Sequence, residues 1–296
     1  MGASKSSYDV VIAGGAVVGS ATAFFLATNP DFKGSVLVIE KDWTYARSAT
    51  ALSSSSIRHQ FSNAINVQVS QFGTEFIRAF KTHIALDEDT PEIGFHENGY
   101  LFLAGDARSK KVLEQNHATQ TACGADISLL DPETLACRFP WLNIDGLVLG
   151  SYGERGEGWF DSSALMHGFR KKARSLGVEY VEDEVVAIGR EGDHIASVTT
   201  KSGQTIACGA LVNTSGTSGK KVARMAGLDI PVEPRRRSLF VVDCREPLPG
   251  KVGLTIDPTG VFFRPEGNFY LMGTCPKHDP EVDPEDFAVM HAEFDE

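Results

Sequence analysis

A glycine-rich turn between a β-branched run and an apolar helical run constrains this chain more than any other feature. The turn reads Gly14-Gly15-Ala16-Val17-Val18-Gly19. It follows a strand predicted over residues 8–13. It opens a helix predicted to run through Leu26, which Asn29-Pro30 ends before a second strand over 35–40. Strand, turn, helix and strand in this order make a βαβ crossover, and hence a parallel sheet. Gly14 permits the tight turn, position 16 lets backbone N–H groups approach a pyrophosphate at the helix N-terminus, and Gly19 lets helix lie close on strand. Ala16 adds a methyl where glycine is usual, which narrows that approach without closing it. Glu40 ends the second strand twenty-one residues after Gly19, a spacing at which a carboxylate accepts ribose hydroxyls. Turn and carboxylate together point to an adenine dinucleotide, and the carboxylate disfavours NADP, whose extra phosphate it would repel. FAD and NAD stay equally open on these residues alone, because fold does not assign chemistry.

Composition removes other classes. A formal net charge of -11 argues against nucleic-acid binding, which draws on clustered lysine and arginine, and Arg235-Arg236-Arg237 is read as a strand start or anion contact. Residues 10–27 carry no charge, which approaches the length of a membrane span or a signal-peptide core. The glycines inside the stretch argue for strand, turn and helix instead, with no transmembrane segment. Five scattered cysteines without a C-x-x-C pair read as free thiols in a cytoplasmic protein, and no metal site is expected.

Beyond the crossover, the Ser/Thr-rich stretch 48–62 reads as a long functional loop. Ile65, Val69, Phe72, Phe76 and Phe80 recur on one helical face and are expected to pack in the core. A strand is predicted at 100–104, helices near 108–124 and after Asp131-Pro132, and another helix capped by Asp161 or Ser162 and stopped at Gly177, with Leu165, Met166, Phe169, Ala173 and Leu176 inward. A meander follows at 184–190, 195–200 and 204–207, and a returning strand at 210–213. Further strands are predicted at 238–243, 260–264 and 269–273. The fold class is therefore α/β. A Rossmann-like dinucleotide domain from 1–90 and 155–225 joins a mainly antiparallel α+β substrate domain from 91–154 and 226–296.

Several segments together resemble the D-amino-acid oxidase superfamily of FAD proteins, which includes glycine oxidase, sarcosine oxidase and dimethylglycine dehydrogenase. They are residues 9–23, Val38-Ile39-Glu40-Lys41-Asp42, Ile57-Arg58-His59-Gln60-Phe61-Ser62, Phe139-Pro140-Trp141, Glu157-Gly158-Trp159-Phe160-Asp161, Val212-Asn213-Thr214-Ser215-Gly216, Pro231-Val232-Glu233-Pro234-Arg235 and Phe263-Arg264-Pro265-Glu266-Gly267. Within the superfamily the chain is most similar to the FAD-dependent oxidoreductase domain-containing group. The resemblance implies FAD held by the turn 14–19, by Glu40 with Lys41 on the ribose, by the Val185 backbone at the adenine, and by Ser215 and Gly216 at the pyrophosphate. Ser48, Ser53 and Ser54 would lie in the loop along diphosphate and flavin. Some members attach flavin covalently to a histidine in this loop, where residues 53–56 here are all serine, so dissociable FAD is expected.

The resemblance also implies oxidation of the C–N bond of a small amino acid or N-methyl amine, of the sarcosine, dimethylglycine or D-amino-acid type, by hydride transfer to flavin N5. Arg58 and Arg264 are candidates for an arginine forked onto the substrate carboxylate, with His59 beside them. Phe262 or Phe263 would supply an aromatic wall. The partner is then a small amine or amino acid, together with an electron-transfer or respiratory-chain protein if one reoxidises the flavin. The alternative is a non-catalytic flavoprotein that assists assembly of a respiratory complex. By the same analogy a final glycine-rich strand–loop–helix is expected beyond residue 296, a helix-like stretch over 284–296 would precede it, and the 296-residue chain alone is expected to bind FAD weakly.

Overall fold

The computed structural model describes residues 2–86 and 90–295. A six-stranded sheet and a seven-stranded sheet form its two layers of β-structure, with a two-stranded ribbon between chain segments that serve both. The first sheet has β1 (Ser7–Ala13) at its centre, flanked in parallel by β2 (Val36–Glu40). The ribbon pairs β3 (Ser56–Ile57) with β7 (Gly158–Trp159). The second sheet contains β4 (Tyr100–Ala104), β5 (Ile127–Leu130) and β6 (Leu149–Gly153) from the middle of the chain. Later residues add β12 (Leu239–Val242), β13 (Leu254–Ile256), β14 (Phe262–Glu266) and β15 (Phe269–Gly273). The first sheet is completed by β8 (Glu179–Glu182), β9 (Val185–Glu191), β10 (His194–Thr200) and β11 (Thr205–Asn213), in the order β8-β2-β1-β11-β10-β9.

The crossover forms as its pattern dictates. Residues of β1 and β2 are almost wholly buried because α1 (Val17–Thr28) covers one face of the sheet and the meander side packs on the other. Helix α6 (Ser162–Ser175) lies on α1 through Phe24, Phe169 and Ala173, with the Phe24 and Phe169 rings 5.2 Å apart. Asp161 caps α6 by accepting from the Ala164 N–H at 2.8 Å, and Gly177 follows at φ 95°. Asp131 caps α5 (Pro132–Arg138) and Asp106 caps α4 (Ala107–Ala122) in the same way.

Four expectations need correction. The returning strand and the last meander strand are one nine-residue strand, β11. It pairs antiparallel with β10 through Thr205–Ala207 and parallel with β1 through its later residues. Gly209, which looks like a break, instead sits where an added Cβ would lie 3.0 Å from the Asp9 carbonyl oxygen. The apolar stripe after Asn63 is also split, because α2 (Ala64–Arg78) ends one residue before α3 (Phe80–Ile84). Phe76 and Phe80 enter the core as expected, but Ile65, Val69 and Phe72 are exposed, since α2 buries its Val67 and Thr74 side against the Ala125–Ile127 region and the ribbon. Leu176 is likewise 45% exposed at the C-cap of α6. Lastly, residues 284–295 are largely irregular, with one short 3-10 turn at His291–Phe294, and Glu285 and Asp286 pair with Lys41 and Arg236.

No helix among the described residues is long and apolar enough to cross a membrane. All five cysteines are free thiols, and no cluster of His, Cys, Asp and Glu suited to a metal occurs among the described residues.

Candidate functional site

The turn at the end of β1 is built so tightly that two of its glycines have no substitute. Gly14 adopts φ 101°, and a Cβ there would lie 2.5 Å from the Thr214 carbonyl oxygen. A Cβ on Gly19 would lie 1.9 Å from the Gly14 carbonyl oxygen. The Thr214 hydroxyl donates to the Gly14 carbonyl at 2.7 Å, which brings Ser215 against the turn from the end of β11, with Gly216 following at φ 56°. Ala16 is the N-cap of α1, and neither a side-chain cap nor an acidic residue occupies the first turn. Its leading N–H groups, with the positive end of the helix dipole, are thereby available to an anion, apart from Val17, whose N–H reaches the Thr50 hydroxyl at 3.2 Å.

Glu40 lies at the carboxyl end of β2, almost fully buried. One carboxylate oxygen accepts from the Gly15 N–H at 2.6 Å and the other from the Asp42 N–H at 3.0 Å. Each oxygen keeps a lone pair, so the group braces the turn and can still accept ribose hydroxyls. The Glu40 carbonyl also accepts from the Asp183 N–H at 2.9 Å, bringing the start of β9 and Val185 to this corner. Lys41 is beside it, paired with Glu285 at 2.6 Å. Tyr45 was not a candidate from the sequence. Its hydroxyl is buried without a partner, 3.4 Å from where a Gly15 side chain would begin, and burial pushes its pKa up to about 12. An orphaned hydroxyl, an uncapped helix and a braced carboxylate around one turn fit the ADP half of a dinucleotide.

The serine loop leads from this cradle to the second sheet. Ser48 accepts from the Ala51 N–H at 3.2 Å, Ser53 accepts from the Ser55 N–H at 3.0 Å, and the Ser55 hydroxyl donates to Ser162 at 2.7 Å. Tyr45 and Ser55 both hold positive φ, 55° and 53°, a strained conformation that side chains rarely adopt and that concentrates in functional loops. The Ser54 carbonyl accepts from Arg264 Nε at 2.9 Å.

The three substrate-side candidates diverge. Arg264, on β14, is buried and engaged with the Ser54 and Pro265 carbonyls, the Glu266 carboxylate and the face of Trp159. The His59 ring is enclosed by Thr74, at 2.9 Å, and by Gly156, and burial lowers its pKa. Neither side chain has its polar end turned to open space. Arg58 differs, because among the described residues no ion pair holds it, although Glu157 feels its charge. Its guanidinium lies over the rings of Phe61, Tyr100 and Phe102 at 4.7, 5.6 and 5.6 Å, and its Nε is buried without a partner. Phe262 and Phe263 are both partly buried, and Phe263 packs edge-on to Trp141 and Tyr270.

Sequence reasoning missed the carboxylate behind Arg58. Glu157 is fully buried, accepting from the His59 N–H at 2.5 Å and from Gln60 Nε2 at 2.8 Å. Desolvation outweighs those two hydrogen bonds and pushes its pKa up to about 7. A carboxyl raised in the folded state contributes stability that is complete below the ordinary carboxylate pKa and lost as pH rises through 7. Against Glu157→Gln, the wild-type protein should therefore lose on the order of 3 kcal/mol of relative stability between about pH 4 and pH 8. Urea unfolding of both proteins across that range measures it, and parallel curves would refute the assignment.

An α/β protein whose glycine turn, at the carboxyl ends of parallel strands, fits the ADP half of a dinucleotide is the class this geometry defines. The chain belongs to the DAO family of FAD-dependent oxidoreductases, whose family model matches residues 9–296. It is 36% identical to FAD-dependent oxidoreductase domain-containing protein 1 of Xenopus laevis, over 97% of this chain and 64% of that protein. It is 29% identical to the sarcosine oxidase subunit beta of an Arthrobacter species, over 82% of this chain and 60% of that one. Among solved structures, L-proline dehydrogenase from P. horikoshii superposes with a TM-score of 0.82 at 23% identity, over 98% of this chain and 74% of that chain. This chain thus spans just under two thirds of the length of the curated relatives it matches.

Proposed function

We propose that the protein oxidises the C–N bond of a small carboxylated amine, an amino acid or an N-methyl amino acid, with dissociable FAD in the cradle. The observation that carries this reading is Arg58. It is a guanidinium held on three aromatic rings next to the loop that leads from the ADP site, and it has no ion-pair partner among the described residues. When bound, FAD supplies a hydride acceptor for the carbon that bears the nitrogen. The chain's own residues do the rest. Glu40 accepts the ribose hydroxyls, the first turn of α1 and the Ser215-Gly216 turn face the diphosphate, and Tyr45 has a hydroxyl free to donate there. Ser48, Ser53 and Ser54 line the path onward, with Arg264 holding the Ser54 carbonyl. Arg58 receives the substrate carboxylate in a two-pronged hydrogen bond, while Phe61, Tyr100 and Phe102 keep its alkyl stem and planar face dry. The sarcosine oxidase and L-proline dehydrogenase named among the similar proteins have carboxylated amines in their names, which supports this substrate class.

Arg58→Lys is the discriminating variant, because lysine keeps the charge and loses the fork. Under anaerobic conditions, half-saturation of flavin reduction should rise roughly ten- to a hundredfold for sarcosine and far less for dimethylamine, its analogue without the carboxylate. Equal losses for both amines would remove Arg58 from the role. A bound flavin that no amine reduces would favour a non-catalytic flavoprotein.

A further inference from the structure

Arg58 stands just past the end of a strand only two residues long, and nothing in the sheet pairing fixes the backbone that follows. The ribbon stops at Ile57, paired with Gly158. Beyond it, residues 58–60 are held almost entirely by side chains. The Ser70 hydroxyl donates to the Arg58 carbonyl at 2.5 Å. The His59 N–H and the Gln60 amide both donate to Glu157, one to each carboxylate oxygen. The same Gln60 Nε2 also donates to the Tyr100 carbonyl at 2.9 Å, and Gln60 Oε1 accepts from the Ser151 hydroxyl at 2.7 Å.

Burying a carboxylate costs several kcal/mol unless its oxygens are satisfied, and this fold accepts that cost and makes room for it. A Cβ at Gly153 would lie 2.1 Å from Glu157 Oε2, so β6 carries no side chain there. The Glu157 carbonyl also accepts from the Gly99 N–H at 3.0 Å, tying the residue to the start of β4, which supplies Tyr100 and Phe102. One residue, through its carboxylate on one side and its backbone carbonyl on the other, thus links the backbone under Arg58 to the strand that carries two of the rings on which its guanidinium rests. The charged and titratable groups around it are Arg58 and His59 on the segment it holds, Tyr100 from β4 and Tyr152 from β6.

We propose that Glu157 is a positioning residue for substrate selection: it pins residues 58–60 from below and so fixes the direction in which Arg58 presents its guanidinium. The inference rests on the reading of Arg58 as the carboxylate anchor. It assigns Glu157 no contact with substrate or flavin.

The test uses Glu157→Met, which keeps side-chain length and removes both acceptors, and Glu157→Gln, which keeps one oxygen but turns an N–H2 toward the Gln60 amide. Amide hydrogen exchange of the segment containing His59, followed on the purified protein, reads the strut directly. Glu157→Met should speed exchange there about tenfold or more, with Glu157→Gln between it and wild type. In anaerobic flavin reduction, the preference for sarcosine over dimethylamine should fall by about tenfold in Glu157→Met and less in Glu157→Gln. Unchanged exchange at His59, or equal weakening of both amines, would overturn the proposal. If Glu157→Met does not fold, Glu157→Gln is judged by the same two criteria. If neither amine reduces the wild-type flavin, the amine reading fails by itself, and the exchange result alone upholds or rejects the strut.

Discussion

Replacing Gly19 with alanine is expected to abolish the dinucleotide site and to destabilise the fold by about 2–4 kcal/mol. The new methyl would meet the Gly14 carbonyl oxygen at 1.9 Å, backbone against backbone, and only a shift of α1 away from the β1 turn could relieve it. That shift would carry the first-turn N–H groups out of line with the diphosphate. A matched control exists in Gly219, at the start of a helix over Gly219–Met225, where the nearest atom to an added Cβ is Asn213 Nδ2 at 4.0 Å. Gly219→Ala should be neutral or slightly stabilising, since alanine loses less entropy than glycine on entering a helix. Urea unfolding and FAD titration of the pair separate the two cases. A Gly19→Ala protein as stable as Gly219→Ala, with normal FAD affinity, would contradict the cradle's geometry.

Glu40→Ala should weaken FAD by roughly ten- to a hundredfold, the loss of one or two charge-assisted hydrogen bonds of about 1.5–3 kcal/mol. The structure adds a second consequence. The Gly15 and Asp42 N–H groups both donate to this carboxylate, so truncation also leaves two backbone donors without their partner and loosens the turn before any ligand arrives. Glu40→Gln separates these effects, because the amide still offers an oxygen to one N–H while losing the charge. FAD dissociation constants by fluorescence quenching should rise from wild type to Glu40→Gln to Glu40→Ala. The same constant in all three proteins would exclude Glu40 from ribose recognition, and flavin that stayed on the polypeptide after acid denaturation would contradict dissociable binding.

The βαβ crossover was legible because its signals are local. A β-branched run, a glycine turn, a helical run and an acidic strand end all fall within residues 8–40, and β1, α1 and β2 form where that pattern puts them. Helix caps were equally local, as Asp131 and Asp161 show. The strands β5, β6, β8 and β13 were not read, because each is short and β8 begins and ends in glutamate, so no alternation can be established over its length. The exposed stripe of Ile65, Val69 and Phe72 shows a second limit: periodicity identifies a helix and its faces, but which face is covered depends on elements far away in sequence. The same limit separates the arginines. Arg264 finds the Ser54 carbonyl 210 residues away, whereas Arg58 keeps a buried Nε without a hydrogen-bond partner, and neither fact is written near either residue. Glu157 left only a faint trace, a charge between Gly156 and Gly158 beside an apolar ribbon.

Anaerobic mixing of the FAD-loaded protein with a series of small amines, followed by the visible absorbance of the flavin, tests the central claim most directly. The account predicts saturable bleaching by at least one amino acid or N-methyl amino acid, with sarcosine ahead of dimethylamine and the order reversed or flattened in Arg58→Lys. A flavin that stays oxidised with every carboxylated amine, or that is reduced equally well whether or not the carboxylate is present, would contradict it.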